Sequence, residues 1–244
     1  MRYRIDFSYD GTNFNGYQIQ PGLRTVQGEL EKAISYLNKQ TATGVQSSGR
    51  TDKGVHAINQ VAHFDLNIDI PLDKIKRGLN SNLPEDIHIN CVKKVSENFH
   101  ARFSTKKKEY IYKINIGEYD PLTRNYIYQY NRKLDITKMT EALHYFEGKH
   151  DFTSFISSED IRENKIRTIL KTSIKEKNNI IEISFQADGF MKYQVRNMVG
   201  LLIFIGCGKK KPLDVINIIE AKDRTKSVKT APPEGLYLKK VWYQ

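Results

Sequence analysis

The fold and the chemistry of this chain are decided by the stretch SSGRTDKGVHA, residues 47–57. Its two glycines bracket a short polar segment, which predicts a tight loop that presents Asp52 at the mouth of a cleft. Nearby cations such as Arg50 would keep the carboxylate ionised, as a nucleophile or a base must be. An isolated aspartate in a turn more often caps the backbone, so the loop alone leaves both interpretations open.

Two other chemistries are suggested by the same region. Gly44 and Gly49 have the spacing of a phosphate-binding loop, but Arg50 occupies the position where that motif requires lysine. No helical stripe of apolar residues begins just after it, so an NTP-dependent enzyme is disfavoured. His56 could serve as a general base, although a buried structural histidine is the commoner role.

Periodicity outside the loop predicts an α+β protein. Alternating apolar residues at 3, 5, 7 and 9 predict a half-buried opening strand, and a helical stripe follows from Val26, with Thr25 as its N-cap. Further strands are predicted around residues 59–66, 87–91, 110–114, 167–175, 180–186 and 236–241. Further helices are predicted over 71–79, over 139–146 with Gly148 as C-cap, over 195–205, and from Pro212 onward.

The order of elements partly repeats. Each half contains strands and two helices, and residues 7–11 faintly echo residues 185–189. We therefore expect two similar α+β halves with mixed or antiparallel sheets that meet at a central basic cleft. The seam is expected near Asp120-Pro121, so residues 1–120 would carry the aspartate loop and residues 121–244 would complete the cleft.

Charge and cysteine content narrow the class of protein. The formal net charge is +11, with lysine triplets at 106–108 and 209–211, which suits a polyanionic partner as well as a solvated surface. The longest apolar run, residues 198–207, is about half the length of a membrane span, and no apolar signal core begins the chain. Cys91 and Cys207 sit in apolar segments and are expected to be buried thiols. Together, the short apolar run, the opening residues and the expected thiols predict a cytoplasmic location.

Motifs in a fixed order then point to a known family. The sequence contains GRTDKGVHA at 49–57, YDG at 9–11, LPEDI at 83–87, FHARFS at 99–104, KEYIY at 108–112, HDFTSF at 150–155, VRNMVG at 195–200 and APPEGL at 231–236. This series resembles the TruA family of tRNA pseudouridine synthases over nearly the whole chain. Tyr17 stands where tryptophan is expected and Gln194 where methionine is commoner, and neither is a catalytic position.

The resemblance implies an isomerase of the pseudouridine synthase fold. It implies conversion of uridine to pseudouridine at positions 38, 39 and 40 of the tRNA anticodon arm, by a homodimer that uses no metal and no organic cofactor. Asp52 matches the catalytic aspartate of the family, Tyr110 its active-site tyrosine and Arg196 its motif arginine. Arg50 is expected to hold phosphate or to fill the space that a flipped base leaves.

Some alternatives stay open at this point. Asp52 can attack either ribose C1′ or uracil C6, and the sequence does not choose between them. A non-catalytic protein that binds the anticodon arm would share the charge and the aromatic residues, although a carboxylate facing phosphates would weaken its binding. We also expect Arg196 to pair with Asp52 and keep it ionised, since arginine holds a carboxylate in a planar fork. The other role for Arg196 is a phosphate contact.

Overall fold

The computed structural model describes residues 1–243, which form two compact units. The first unit comprises residues 1–106 and 237–243, and the second comprises residues 107–236. Both contain helices and a sheet, so the predicted α+β class is confirmed. None of the helices described in these residues has the length and apolar character needed to cross a lipid bilayer.

The first unit begins with six elements in chain order. These are β1 (Arg2–Tyr9), α1 (Val26–Leu37), β2 (Gln46–Ser47), β3 (His56–Asp65), α2 (Leu72–Asn82) and β4 (Ile87–Lys94). β1 lies between β4 and β3 and is antiparallel to both, and β2 pairs with the far end of β3. The alternating side chains of β1 are buried on one face, as the sequence predicts, and Thr25 caps α1 by accepting the amide N–H of Gly28.

The second unit follows with eight elements. These are β5 (Lys107–Asn115), β6 (Tyr128–Gln129), α3 (Ile136–His144), β7 (Gly148–Asp151), β8 (Ile166–Lys177), β9 (Ile180–Ala187), α4 (Gln194–Gly206) and α5 (Asp214–Ala221). Strands β5, β9, β8 and β7 form an antiparallel sheet in that order, and β6 adds a short parallel pairing to β5. α4 is buried on nearly all sides and is the core helix of this unit.

The last strand returns to the first unit. β10 (Leu236–Trp242) pairs in parallel with β3 through Tyr237 and Leu238. The boundaries of the two units therefore differ from a seam at Asp120-Pro121. β5 belongs to the second unit because it pairs along its whole length with β9. The functional roles expected of the two halves stay predictions.

The faint repeat in the sequence has a structural counterpart. Residues 7–11 comprise the end of β1 and the two residues after it, and residues 185–189 comprise the end of β9 and the two residues after it. Each of these strands is hydrogen-bonded to a neighbouring strand on both sides. The two units thus place the same local sequence pattern at corresponding positions of their sheets.

Two local predictions were wrong. Gly148 does not cap α3, which ends at His144; its φ of +100° instead turns the chain into β7, a conformation that glycine adopts without strain. The cysteines, Cys91 and Cys207, are free thiols of intermediate exposure rather than fully buried ones.

A buried histidine ties the loop after β4 to the sheet of the first unit. His63 on β3 is 4% exposed, and its Nδ1 accepts the amide N–H of Ala101 at 3.1 Å. Burial, reinforced by the charge of Arg2, lowers the pKa of His63 to about 4. Protonation would place a charge in the core and remove the acceptor for Ala101.

We predict a matching dependence of stability on pH. The folded-state pKa lies below the ordinary value of 6.5, so the contribution of His63 is complete above about pH 6.5 and is lost as the pH falls towards about 4. His63→Asn keeps an acceptor near the same place without titrating. Urea unfolding between pH 7 and pH 4 should therefore show a smaller loss of stability in this variant than in the wild type. Equal losses in the two proteins would contradict this role of His63.

Candidate active site

The loop that carries Asp52 joins β2 to β3, and its start is fixed by a buried glutamine. The Ser48 amide N–H donates to the carbonyl of Val61 at 2.7 Å, and the Ser48 hydroxyl donates to Oε1 of Gln60 at 2.5 Å. The side-chain amide of Gln60 in turn donates to the carbonyl of Gly49 at 2.9 Å. Gln60 is fully buried, so these contacts fix the backbone at the start of the loop.

The centre of the loop is held at Thr51. Its hydroxyl shares a hydrogen bond of 2.9 Å with the hydroxyl of Tyr9, and its carbonyl accepts the amide N–H of Tyr17 at 3.1 Å. Burial raises the pKa of Tyr9 to about 12, so this phenol keeps its proton. Asp52, the next residue, is partly exposed. The carboxylate is thus carried on a backbone that is fixed immediately before it.

A tight turn closes the loop after Asp52. The amide N–H of Val55 donates to the carbonyl of Asp52 at 3.2 Å, and Gly54 adopts a φ of +76°. Two glycines on the segment after β1 let this turn approach closely. A Cβ on Gly16 would lie 3.0 Å from the carbonyl oxygen of Thr51, and a Cβ on Gly11 would overlap the carbonyl of Val55. Both glycines are therefore required by close backbone contact.

His56 occupies a structural position. It is 2% exposed, its ring stacks on Tyr237 at 4.7 Å, and its Nδ1 accepts the amide N–H of Gly11 at 3.0 Å. Oδ1 of Asp10 lies 3.2 Å from the same nitrogen, which would be an ion pair only if Nδ1 were protonated. Protonation would remove the acceptor for Gly11, so we take the amide hydrogen bond as the governing contact. These contacts support the structural role over the general-base role.

Arg50 lies two residues before Asp52 and is exposed. Within residues 1–243 its guanidinium makes no hydrogen bond to a carbonyl and no ion pair, so it does not tie the loop together. The side chain is available to a ligand in solvent. The sequence analysis identified Asp52 and Arg50, but it did not show that Tyr9 and Gln60 hold the loop. The one feature that could have indicated this role is a polar group on an otherwise apolar face of a strand.

Tyr110 lies in the second unit, on β5, where it pairs with Phe185 of β9. It is 7% exposed, and its ring and that of Phe190 form a T-shaped pair with centroids 5.2 Å apart and planes at 81°. Tyr112 shares the strand face and is completely buried, with its hydroxyl donating to the carbonyl of Pro232 at 2.7 Å. Tyr112 is therefore a packing residue, whereas Tyr110 keeps a small exposed fraction.

Arg196 lies in the first turn of α4 and is fixed to the segment before β10. Its Nε donates to the carbonyl of Ala231 at 2.8 Å, and the Ala231 amide N–H donates back to the Arg196 carbonyl at 3.1 Å. The guanidinium carbon lies 5.2 Å from the centroid of the Tyr193 ring. One turn along the helix, a Cβ on Gly200 would overlap the carbonyl of Lys229. The guanidinium position is thus set by two chain segments.

A buried polar network around Asn197 also fixes the N-terminal end of α4. Asn197 is fully buried; its amide donates to the carbonyl of Phe155 at 2.7 Å, and its Oδ1 accepts the Thr230 hydroxyl at 2.7 Å. Oδ1 also accepts Nη2 of Arg224 at 3.1 Å. Asn197 was not singled out from the sequence, although an asparagine within an apolar helix was the available signal.

A carboxyl group of the second unit, that of Glu234, lies near Arg196. Burial raises the pKa of Glu234, and the positive charge of Arg196 partly opposes that rise. The same arginine also acts on Tyr112, whose pKa is raised mainly by burial. The hydroxyl of Tyr112 and Nε of Arg196 donate to the adjacent carbonyls of Pro232 and Ala231, so the two side chains meet the same short segment. The sequence analysis did not identify Glu234 as a neighbour of Arg196.

The four predicted site residues fall in two places. Asp52 and Arg50 lie on one loop of the first unit, and Tyr110 and Arg196 lie on β5 and α4 of the second. Across residues 1–243, no group of three or more His, Cys, Asp or Glu side chains is placed to share a metal ion.

Comparison with known proteins places this arrangement in a family. The chain matches the family model described as tRNA pseudouridine synthase over residues 7–104 and 142–244, a range that includes the Asp52 loop and the start of α4. The chain belongs to the tRNA pseudouridine synthase family.

Full-length relatives agree with that assignment. A protein of Geobacillus sp. (strain WCH70), named tRNA pseudouridine synthase A, is 47% identical over 99% of this chain and 98% of the relative. A protein of the same name from Oceanobacillus iheyensis is 45% identical over 100% of this chain and 97% of the relative. One from Pseudothermotoga lettingae is 45% identical over 97% of each.

The close approach of Gly11 to the loop yields a testable prediction. In Gly11→Ala the new methyl group overlaps the Val55 carbonyl, so the turn after Asp52 must move. We expect a loss of about 1–3 kcal/mol of unfolding free energy and a marked loss of activity from displacement of the carboxylate. Gly44→Ala is the control, since no atom lies within 4 Å of its added Cβ. If both variants retain wild-type stability and activity, the backbone contact does not position the loop.

Proposed function

We propose that this protein is an isomerase, a tRNA pseudouridine(38–40) synthase with Asp52 as the nucleophile and without metal or organic cofactor. The observation that carries the proposal is the Asp52 loop, which is fixed on both sides of the carboxylate and lies within the region matched by the family model. The family resemblance supplies the target positions in the anticodon arm.

The reaction makes limited demands on the protein. The bond from ribose C1′ to N1 of uracil breaks, the base rotates, and C1′ joins C5. C5 loses its proton and N1 gains one, so the proton count is unchanged. Nothing is oxidised, and no group enters or leaves overall. A single ionised carboxylate suffices if it attacks C1′ or C6 and is released again when the rotated base has joined C1′ through C5. The base must have left its stack and the carboxylate must already be in place. The Tyr9–Thr51 hydrogen bond supports such preorganisation of Asp52.

Tyr110 and Arg50 are proposed to receive the flipped nucleotide. Tyr110 offers a ring for stacking on the uracil, and its hydroxyl can assist removal of the C5 proton. The T-shaped contact with Phe190 supports this role because it fixes the ring plane. Arg50 contacts a phosphate or fills the vacated position in the stack, and its exposed guanidinium supports that assignment.

Arg196 is proposed to pair with the Asp52 carboxylate during catalysis. A carboxylate that is covered by a substrate base loses water, and desolvation alone raises its pKa. A fixed guanidinium offsets that rise and keeps the nucleophile ionised. The Ala231 carbonyl engages one of the five N–H donors of Arg196, which restricts the orientation of the whole fork and supports a positioning role.

Binding is proposed to rest on the positive charge. The net charge of +11 and the lysine triplets at 106–108 and 209–211 favour tRNA as the partner. The family resemblance further supports a homodimer, since the arm and the elbow of a tRNA lie farther apart than one small chain spans. A tRNA substrate also favours a cytoplasmic location. A non-catalytic anticodon-arm-binding protein is the less favoured alternative, because RNA binding alone does not require a carboxylate on a fixed loop.

The first variant tests the nucleophile. Asp52→Asn keeps the size of the side chain and removes its charge, so nearly all turnover should be lost while tRNA binding stays within about tenfold of the wild type. Asp73→Asn, the same change at an exposed position on α2, should behave as the wild type. Activity above a few per cent in Asp52→Asn, after deamidation back to Asp has been excluded by mass spectrometry, would remove Asp52 from this role.

The second variant separates the two roles of Arg196. If Arg196 orients Asp52, Arg196→Lys should lower the single-turnover rate roughly a hundredfold and change the Kd for tRNA only a few-fold. Lysine keeps the charge but loses the planar fork. Arg132→Lys, at an exposed position of the same unit, is the control. A weakened Kd with an unchanged rate at saturating tRNA would identify Arg196 as a phosphate contact instead.

A further inference from the structure

An exposed phenylalanine marks the loop that follows β4. Phe103 is 77% exposed, and Arg102 beside it is exposed as well. Leaving a large aromatic ring in water forgoes the stabilisation that its burial would give. A single exposed apolar side chain is common on protein surfaces, so exposure alone assigns no role.

The backbone that carries this ring is ordered by His100. Nδ1 of His100 accepts the amide N–H of Arg102 at 3.1 Å and that of Phe103 at 3.3 Å. The amide N–H of His100 donates to the hydroxyl of Ser104 at 3.0 Å, and the amide N–H of Ser104 donates back to the His100 carbonyl at 2.9 Å. Burial and nearby arginines lower the pKa of His100, which favours the neutral ring that these acceptor contacts need.

The loop is also anchored to the core of the first unit. Ala101 is fully buried, its amide N–H donates to His63, and its carbonyl accepts the hydroxyl of Tyr243 at 2.7 Å and that of Thr105 at 2.8 Å. Phe103 is therefore presented to solvent by a rigid backbone rather than left there by a loose one.

The ring is already part of a short stack with a cation beside it. The centroids of His100 and Phe103 lie 4.3 Å apart with planes at 35°, and the guanidinium carbon of Arg102 lies 5.7 Å from the Phe103 centroid. Lys106 in the same segment is exposed, whereas Glu97 is the exposed acid nearest in sequence. An aromatic surface flanked by cations is complementary to a nucleobase and its phosphate.

We propose that Phe103 is a stacking platform for an unpaired nucleobase of the bound RNA, with Arg102 at the adjoining phosphate. Base pairs within a helix have both faces covered by their neighbours, so the partner is a base in a loop or at a bulge. The proposal rests on the proposed function, since it takes tRNA as the ligand, and it adds a contact outside the four candidate site residues.

The test compares Phe103→Ala with Phe103→Trp. Loss of one base–aromatic stack should raise the Kd for unmodified tRNA about 5- to 100-fold in the alanine variant, and tryptophan should restore it to within about threefold. Binding to a fully paired, blunt-ended RNA duplex should change no more than about twofold. Tyr36→Ala, which removes an aromatic side chain that is 55% exposed on α1, is the control for a nonspecific surface effect.

Each outcome decides the matter. If Phe103→Ala binds tRNA as Tyr36→Ala does, or if tryptophan fails to restore binding, Phe103 is not a stacking platform. If light scattering shows that Phe103→Ala alters the association of subunits, the ring faces a second copy of the chain and the proposal is overturned. The proposed function is judged separately: failure of the wild type to form pseudouridine would refute it even where the Phe103 effect on Kd is present.

Discussion

The hydrogen bond between the hydroxyls of Tyr9 and Thr51 is the contact on which the account depends. It joins the end of β1, a strand that is paired on both sides, to the residue before the proposed nucleophile. Gln60 fixes the entry to the loop, and the close approach of Gly11 and Gly16 fixes its exit. A backbone held in this way would present the Asp52 carboxylate with little reorganisation, which is what the proposed cofactor-free isomerisation requires of the protein.

In the second unit, hydrogen bonds likewise fix the backbone next to a candidate site residue, Arg196. The core helix α4 begins at a point where Arg196 is tied to Ala231 by two hydrogen bonds and where buried Asn197 joins three further segments. The guanidinium is thereby oriented by its own unit, and its charge also acts on Glu234 and Tyr112. Each unit thus positions one charged group through buried polar contacts, and surface lysines are left to attract the polyanion.

Much of the fold could be predicted from the sequence because the signals were local. The alternation at residues 3–9 and the N-cap at Thr25 both depend on neighbours along the chain, and both are confirmed. The predicted role of Gly148 was wrong because a glycine with positive φ occurs both at the end of a helix and at the start of a strand. The candidate site residues came from motif resemblance, whereas Gln60, Asn197 and Glu234 gain their partners from distant segments. Such partners leave no local pattern to recognise.

The protein is proposed to isomerise uridine in tRNA without a metal ion, an organic cofactor or a nucleotide. The most direct measurement incubates the purified wild-type protein with an unmodified tRNA transcript in a buffer that contains a metal chelator and no nucleotide. The modified positions are then mapped by carbodiimide adduct formation and primer extension. We expect pseudouridine at one or more of positions 38, 39 and 40, with more than one turnover for each protein chain. A transcript that is bound but unmodified, or that is modified only after a metal ion or ATP is added, would contradict this proposal.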